Sequence, residues 1–183
     1  MRAIRKERIK SIIIILLALL LILIVGMEGY ILFSHNWKVK EYTRVDLQVP
    51  TMEYNLTKAQ AKELVKDLYD TPHFFTEKEL QGATLGQSYI LWRVTEINFG
   101  LDVEDFTITY AHELTHIKYQ VQNETYITFM TFKVLYESGN AVLQNMALRH
   151  ARVILGGEYN GTAYDCGYYI LDYLRDIQYE GII

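Results

Sequence analysis

The longest apolar stretch of the chain is residues 11–33, SIIIILLALLLILIVGMEGYILF, which contains one charged residue, Glu28. A helix of about 20 apolar residues is long enough to cross a bilayer. Residues 1–10 carry five basic side chains and one acidic side chain, a charge pattern typical of a cytoplasmic flank. The run is longer than the core of an ordinary signal peptide, and no small-x-small cleavage site follows it. We therefore predict an uncleaved, single-pass signal anchor in the cell membrane, with a cytoplasmic N-terminus and an extracytoplasmic remainder.

The polar and apolar positions after this run indicate a short connector followed by several helices. Residues 34–54 are predicted to be an extended juxtamembrane connector. Residues 57–70 have apolar side chains at helical spacing and begin with a Thr57–Gln60 capping box. Further helices are predicted over residues 76–82, 103–120, 124–137, 140–155 and 165–178. The helix over 103–120 would be capped by Asp102 or Asp105, and the helix over 124–137 by Asn123.

Residues 88–99, SYILWRVTEINF, are rich in β-branched and aromatic side chains. Such a composition favours one strand or two, although a helix through the same residues stays open. Residues 34–183 are enough for one compact domain and too few for two. The predicted fold class is α+β: a small, mostly helical domain over residues 55–183 with a short sheet, preceded by one transmembrane helix.

Charge and cysteine content narrow the possible partners and metal sites. Beyond residue 33, 13 basic residues stand against 20 acidic residues, a net charge of −7. An acidic surface argues against nucleic acid as a partner. Cys166 is the sole cysteine, which excludes an intramolecular disulfide and a zinc site built from several cysteines.

The strongest chemical signal is the run His-Glu-Leu-Thr-His at residues 112–116. Two histidines four residues apart on a helix lie on the same side, so His112 and His116 can bind one Zn²⁺ together. Glu113 lies next to that side and is the candidate general base for a zinc-activated water. A continuous stripe supports the helix, formed by Ile108, His112, Thr115, His116 and Tyr119.

A catalytic zinc site needs a third protein ligand and leaves one position open. Two glutamates compete, Glu124 and Glu137. If the two helices pair antiparallel around a turn near residues 121–122, Glu124 lies within a turn and a half of His116, and Glu137 lies beyond His112. We therefore prefer Glu124. A longer, looped turn would reverse that choice.

The stretch DFTITYAHELTHIKYQVQNETYITFMTF resembles the core of the glutamate-zincins, or gluzincins. More narrowly, it resembles an uncharacterised bacterial family of membrane-anchored proteins taken to be zinc metallopeptidases. This resemblance implies a zincin-like domain in which His112, His116 and Glu124 bind Zn²⁺ and Glu113 is the base. It covers about residues 93–155.

Two functions follow as expectations. The first is a membrane-anchored zinc metallopeptidase that hydrolyses peptide bonds in a peptide or protein substrate. The second is a non-catalytic, membrane-anchored zincin-like domain with a structural metal or a partner-binding role. Tyr159, Tyr164 and His150 are candidates to stabilise an oxyanion, and Asp165 or Glu137 to orient a ligand histidine. The strand near residues 95–99 is expected to bind an extended peptide as an edge strand. No feature of the sequence indicates an oligomeric state.

Overall fold

The computed structural model describes residues 44–157 and 166–182. Within these residues the protein is α+β, with five helices and one three-stranded sheet. The helices are α1 (Lys58–Tyr69), α2 (Val103–Tyr119), α3 (Glu124–Tyr136), α4 (Ala141–Leu155) and α5 (Gly167–Asp176), and the strands are β1 (Phe74–Lys78), β2 (Gly86–Tyr89) and β3 (Val94–Asn98). The α+β class predicted from the sequence is confirmed for this part of the chain, about half of which is helical.

Local capping chemistry sets where several helices begin. Thr57 and Gln60 form the predicted capping box at the start of α1. The Asp102 side chain accepts a hydrogen bond from the Asp105 amide at 2.8 Å, and Asn123 accepts one from the Tyr126 amide at 3.0 Å. These bonds satisfy amide groups that have no partner inside the helix. The starts of α2 and α3 are therefore fixed by side chains, and Asn123 directly precedes the candidate ligand Glu124.

The sheet has the order β1–β3–β2, with β3 in the middle. β1 pairs with β3 in parallel, and β2 pairs with β3 in antiparallel fashion. A 3-10 turn, Ile90–Trp92, connects β2 to β3. The sequence predicted one strand or two within residues 88–99, and the structure has the end of β2 and the whole of β3 there. The alternative of a helix through all of these residues is wrong.

The short helix predicted over residues 76–82 is also wrong, because Thr76 to Lys78 belong to β1. Each of these three residues pairs with a residue of β3. Phe75 packs edge-on against Phe106 and Tyr110, with ring centroids 6.0 and 5.2 Å away. Pairing and packing with distant residues thus outweigh the local capping signal at Thr76.

Helix α2 is the centre of the domain. It contacts α1, α3, α4 and the sheet, and eleven of its 17 residues are buried. Part of the predicted connector joins this core, since Val45 and Leu47 are buried and Leu47 bridges to Ile182. Cys166 is buried as well. Two of the candidate metal ligands, His112 and His116, therefore lie on the most extensively packed helix of the domain.

The predicted anchor over residues 11–33, its basic flank and residues 34–43 of the connector lie outside the described residues. In the part of the chain that the structure does describe, no helix combines the length and apolar character needed to cross a membrane.

Candidate metal centre

A tight connection between α2 and α3 brings the third candidate ligand to the histidines. Helix α2 ends at Tyr119, and its C-cap residue, Gln120, has a left-handed φ of 55°. Four residues after Gln120, Glu124 is the first residue of α3. The turn is therefore short, as the preference for Glu124 over Glu137 required.

His112, His116 and Glu124 form one compact cluster whose candidate ligand atoms all lie within 4.8 Å of one another. The Nε2 atoms of the two histidines are 3.2 Å apart. Glu124 Oε2 lies 3.0 Å from His112 Nε2, and Glu124 Oε1 lies 3.4 Å from His116 Nε2. This group could hold a metal ion.

A backbone carbonyl fixes the orientation of His116. Its Nδ1 lies 2.7 Å from the carbonyl oxygen of Val121, which can only accept a hydrogen bond. Nδ1 therefore carries the proton, and in the neutral ring Nε2 presents its lone pair to the cluster. This is the arrangement that metal-binding histidines usually have.

The spacing fits a small tetrahedral ion. With Zn–N bonds of about 2.0–2.1 Å, two ligand nitrogens in a tetrahedral site lie about 3.3 Å apart. The observed separation of the two Nε2 atoms, 3.2 Å, is close to that value, and each of these nitrogens has one carboxylate oxygen of Glu124 within 3.4 Å. If His112 is also protonated on Nδ1, the two Nε2 lone pairs face each other, and a cation between them removes the repulsion. The donor set of two nitrogens and one carboxylate suits zinc.

The charges of the cluster are strongly coupled. Burial would raise the pKa of Glu124, but hydrogen bonds with His112 and His116 outweigh burial and lower that pKa to about 2. Burial would lower the pKa of His116, yet its contacts with Glu124 raise it. Glu124 is therefore a carboxylate at neutral pH, the form that binds a cation.

A chain of buried hydroxyl groups holds α2 in position behind the cluster. Tyr69 on α1 lies 2.6 Å from the Thr115 hydroxyl, and Thr131 on α3 lies 3.0 Å from the same oxygen. All three side chains are buried. Because Thr115 precedes His116, these contacts fix the rotation of α2 and hence the direction in which the histidines point.

Glu113 lies beside the cluster, against strand β2. It is buried, and burial raises the pKa of its carboxyl group, while His112, His116 and a hydrogen bond from Ser88 act in the opposite direction. Strand β2 approaches so closely that a Cβ atom at Gly86 would lie 2.6 Å from Thr109 Cγ2 and 3.0 Å from Glu113 Oε1. Position 86 favours glycine because a Cβ atom would be too close to Thr109 and Glu113.

The cluster His112, His116 and Glu124, together with Glu113, lines a cavity of about 600 Å³. One wall is formed by residues 83–88 and Ile90, and the opposite side by α2, Glu124 and His150. Burial, and then the nearby His112, lowers the pKa of His150 to about 4. His150 is therefore neutral at pH 7.

The other candidates from the sequence fare differently. Glu137 lies at the far end of α3, where it accepts a hydrogen bond from the Tyr173 hydroxyl at 2.8 Å. It does not orient a ligand histidine; the Val121 carbonyl orients His116 instead. Tyr159, Tyr164 and Asp165 lie outside the described residues. The expectation that residues 95–99 form an edge strand is wrong, because β3 has neighbours on both sides. The strand beside the cavity is the edge strand β2.

Sequence reasoning missed Gly86 and Ser88. A glycine at the start of a polar strand is a signal for close approach of two backbones, and Gly86-Gln87-Ser88 has that form. This sequence pattern alone does not identify which element approaches Gly86; the structure shows that it is α2.

The chain matches no protein-family model, no curated protein and no solved structure. The resemblance to the glutamate-zincins therefore rests on the residues themselves and remains a hypothesis.

Proposed function

We propose that this protein is a membrane-anchored zinc metallopeptidase that hydrolyses peptide bonds. The observation that carries the proposal is the convergence of His112, His116 and Glu124 on one point, with Glu113 beside them in the same cavity. A metal site with a purely structural role needs its ligands only. The buried carboxylate of Glu113 has no place in that role, and it favours catalysis.

In this proposal His112, His116 and Glu124 hold the ion, and the open side of the cluster faces the cavity. Zinc bound there would supply Lewis acidity, polarising a peptide carbonyl and lowering the pKa of a water molecule. The hydrogen bond from His116 Nδ1 to the Val121 carbonyl would leave Nε2 of His116 available to bind that ion.

Glu113 is the proposed general base and general acid. Its burial raises the pKa of the carboxyl group, which makes the carboxylate a stronger base than one in water. Glu113 accepts a proton from the attacking water and returns it to the leaving amine. The hydrogen bond from Ser88 holds the carboxylate while it does so.

The decisive experiment replaces Glu113 by Gln, which has nearly the same size but cannot accept a proton. Zinc content should be unchanged, and cleavage of a mixed peptide library should fall by about 10²–10⁴-fold. Glu137→Gln is the matched control, because this residue is also a glutamate on the same helical hairpin but faces Tyr173. It should keep both zinc and cleavage.

Two outcomes would count against the proposal. Equal cleavage by the wild type and Glu113→Gln would assign the activity to a contaminant. A zinc-loaded wild type that cleaves neither soluble peptides nor membrane proteins would favour the non-catalytic, partner-binding alternative.

A further inference from the structure

One end of the sheet is an exposed apolar surface, which we call the apolar tip and define as Phe74, Tyr89, Leu91 and Trp92. The sheet register brings them together, since Phe74 of β1 and Tyr89 of β2 both pair with Val94. Leu91 and Trp92 lie in the turn between β2 and β3. The tip thus combines side chains from three neighbouring segments.

The exposure of these side chains is high. Leu91 is 95% exposed, Phe74 is 74% exposed and Trp92 is 70% exposed. Four of the seven large apolar side chains that are exposed in the described residues belong to the tip. Such a cluster indicates a surface that is covered by a partner.

We propose that the apolar tip inserts into the interfacial layer of the lipid bilayer. Tryptophan and tyrosine favour this layer because their rings are amphipathic: the apolar part contacts acyl chains and the polar group contacts water and headgroups. From Tyr89 to Thr95 the chain contains one charged residue, Arg93, and no acidic residue. A basic side chain at that level can reach the headgroups while its stem stays in apolar surroundings.

Chain length supports a bilayer as the partner. The apolar run predicted to cross the membrane ends at Phe33, and the described domain begins at Arg44. The intervening residues 34–43 can span at most about 40 Å even when fully extended. An anchored domain therefore remains close to the membrane, where even a weak apolar contact forms readily because its local concentration is high.

Docking would orient the cavity. Ile90, which precedes Leu91, lines the cavity that contains the metal cluster, so the cavity lies beside the inserted tip. If the proposed function holds, this placement favours polypeptide substrates at the membrane surface over peptides free in solution. That consequence rests on the proposed function, whereas docking itself does not.

The test uses tryptophan fluorescence in the full chain. The sequence has two tryptophans, Trp37 and Trp92, so Trp37→Phe leaves Trp92 as the sole reporter. This variant is reconstituted in phosphatidylcholine vesicles with and without bromine atoms on the acyl chains. Because bromine quenches tryptophan only at close range, we expect brominated lipid to reduce the Trp92 emission.

The matched control moves the reporter to the other end of the sheet. Phe99 is 55% exposed and follows Asn98, which pairs with the last residue of β1. A Trp37→Phe/Trp92→Phe/Phe99→Trp variant should not be quenched. Adding Leu91→Ser and Phe74→Ser to the Trp92 reporter should lower the ratio of docked to undocked protein by at least about tenfold.

An unquenched Trp92 would overturn the proposal, and so would equal quenching of both reporters. A shift of Trp92 emission that disappears on dilution, without bromine quenching, would assign the tip to a second copy of the chain. The readout needs neither zinc nor cleavage, so loss of peptidase activity and loss of docking are separate results.

Discussion

The two sides of the cavity have different origins. On the helical side, His112 and His116 lie on α2, and Glu124 is the first residue of α3, which follows after one short turn. On the sheet side, Gly86 and Ser88 come from an edge strand that reaches Glu113 only because the whole sheet packs on α2. Under the proposed function, metal binding and control of the general base would therefore depend on separate parts of the fold, and substitutions should separate them.

The largest effect is expected from His112→Ala, which removes a ligand from the helical side. Stoichiometric zinc binding should be lost. Thermal stability should fall too, since a ligand present at a thousand times its Kd stabilises the native state by about 4 kcal/mol. Metal analysis and thermal unfolding with and without a chelator measure both effects.

His73→Ala is the control for that variant, because His73 contacts Thr71 and Tyr110 and lies outside the cluster. It should retain zinc. Retention of zinc by His112→Ala would instead show that the cluster is not the metal site.

Comparing the two ends of α3 sharpens the assignment on the helical side. Glu124→Ala should weaken zinc affinity by more than about 100-fold, since loss of a residue that merely supports a ligand already costs 10–100-fold. Glu137→Ala should change zinc affinity little and lose only its contacts with Tyr173 and Lys133. Competition with a chromophoric chelator measures both constants, and the reverse ranking would contradict the assignment.

Gly86→Ala tests the sheet side. The added methyl group would clash with Thr109 and Glu113, at a cost of about 1–3 kcal/mol in stability, and would displace Glu113 or β2. Cleavage should fall while zinc affinity stays near that of the wild type. Gly100→Ala is the matched control, because a Cβ atom there meets nothing closer than Asn98 Oδ1 at 3.7 Å.

A second change makes this test more specific. Thr109→Ser removes the nearest clashing atom, so adding it to Gly86→Ala should recover part of the lost stability. If Gly86→Ala removes zinc and cleavage together, the two sides of the cavity are not separable.

The smallest effect is expected from Ser88→Ala, which removes one hydrogen bond to Glu113. A hydrogen bond to a charged group is worth about 1.5–3 kcal/mol, so cleavage should fall by roughly tenfold or more, with zinc affinity unchanged. Ser88→Thr keeps a hydroxyl group and should recover most of the activity. An inactive Ser88→Thr would mean that packing of β2 matters there instead of the hydrogen bond.

The same contrast explains what could be predicted from the sequence. The helix containing His112 and His116, its cap at Asp102 and the position of Glu124 depend on residues close together along the chain, and the structure agrees with each prediction. The error at residues 76–82 arose where pairing with β3 overrides a local capping signal. The edge-strand error has the same cause, because the order of strands depends on contacts between residues far apart in sequence. Gly86 and Ser88 were not predicted as site residues, because their contacts with Glu113 also join segments that are far apart in sequence.

The left-handed Gln120 and the short turn after it also bear on the order of folding. His112 and Glu124 are only twelve positions apart, so few residues need to be ordered before the metal ligands meet. Contacts this local form faster than pairings between distant segments, such as β1 with β3. Under the proposed function, we therefore expect the α2–α3 hairpin to gain metal affinity early in folding, before the sheet completes the cavity around Glu113.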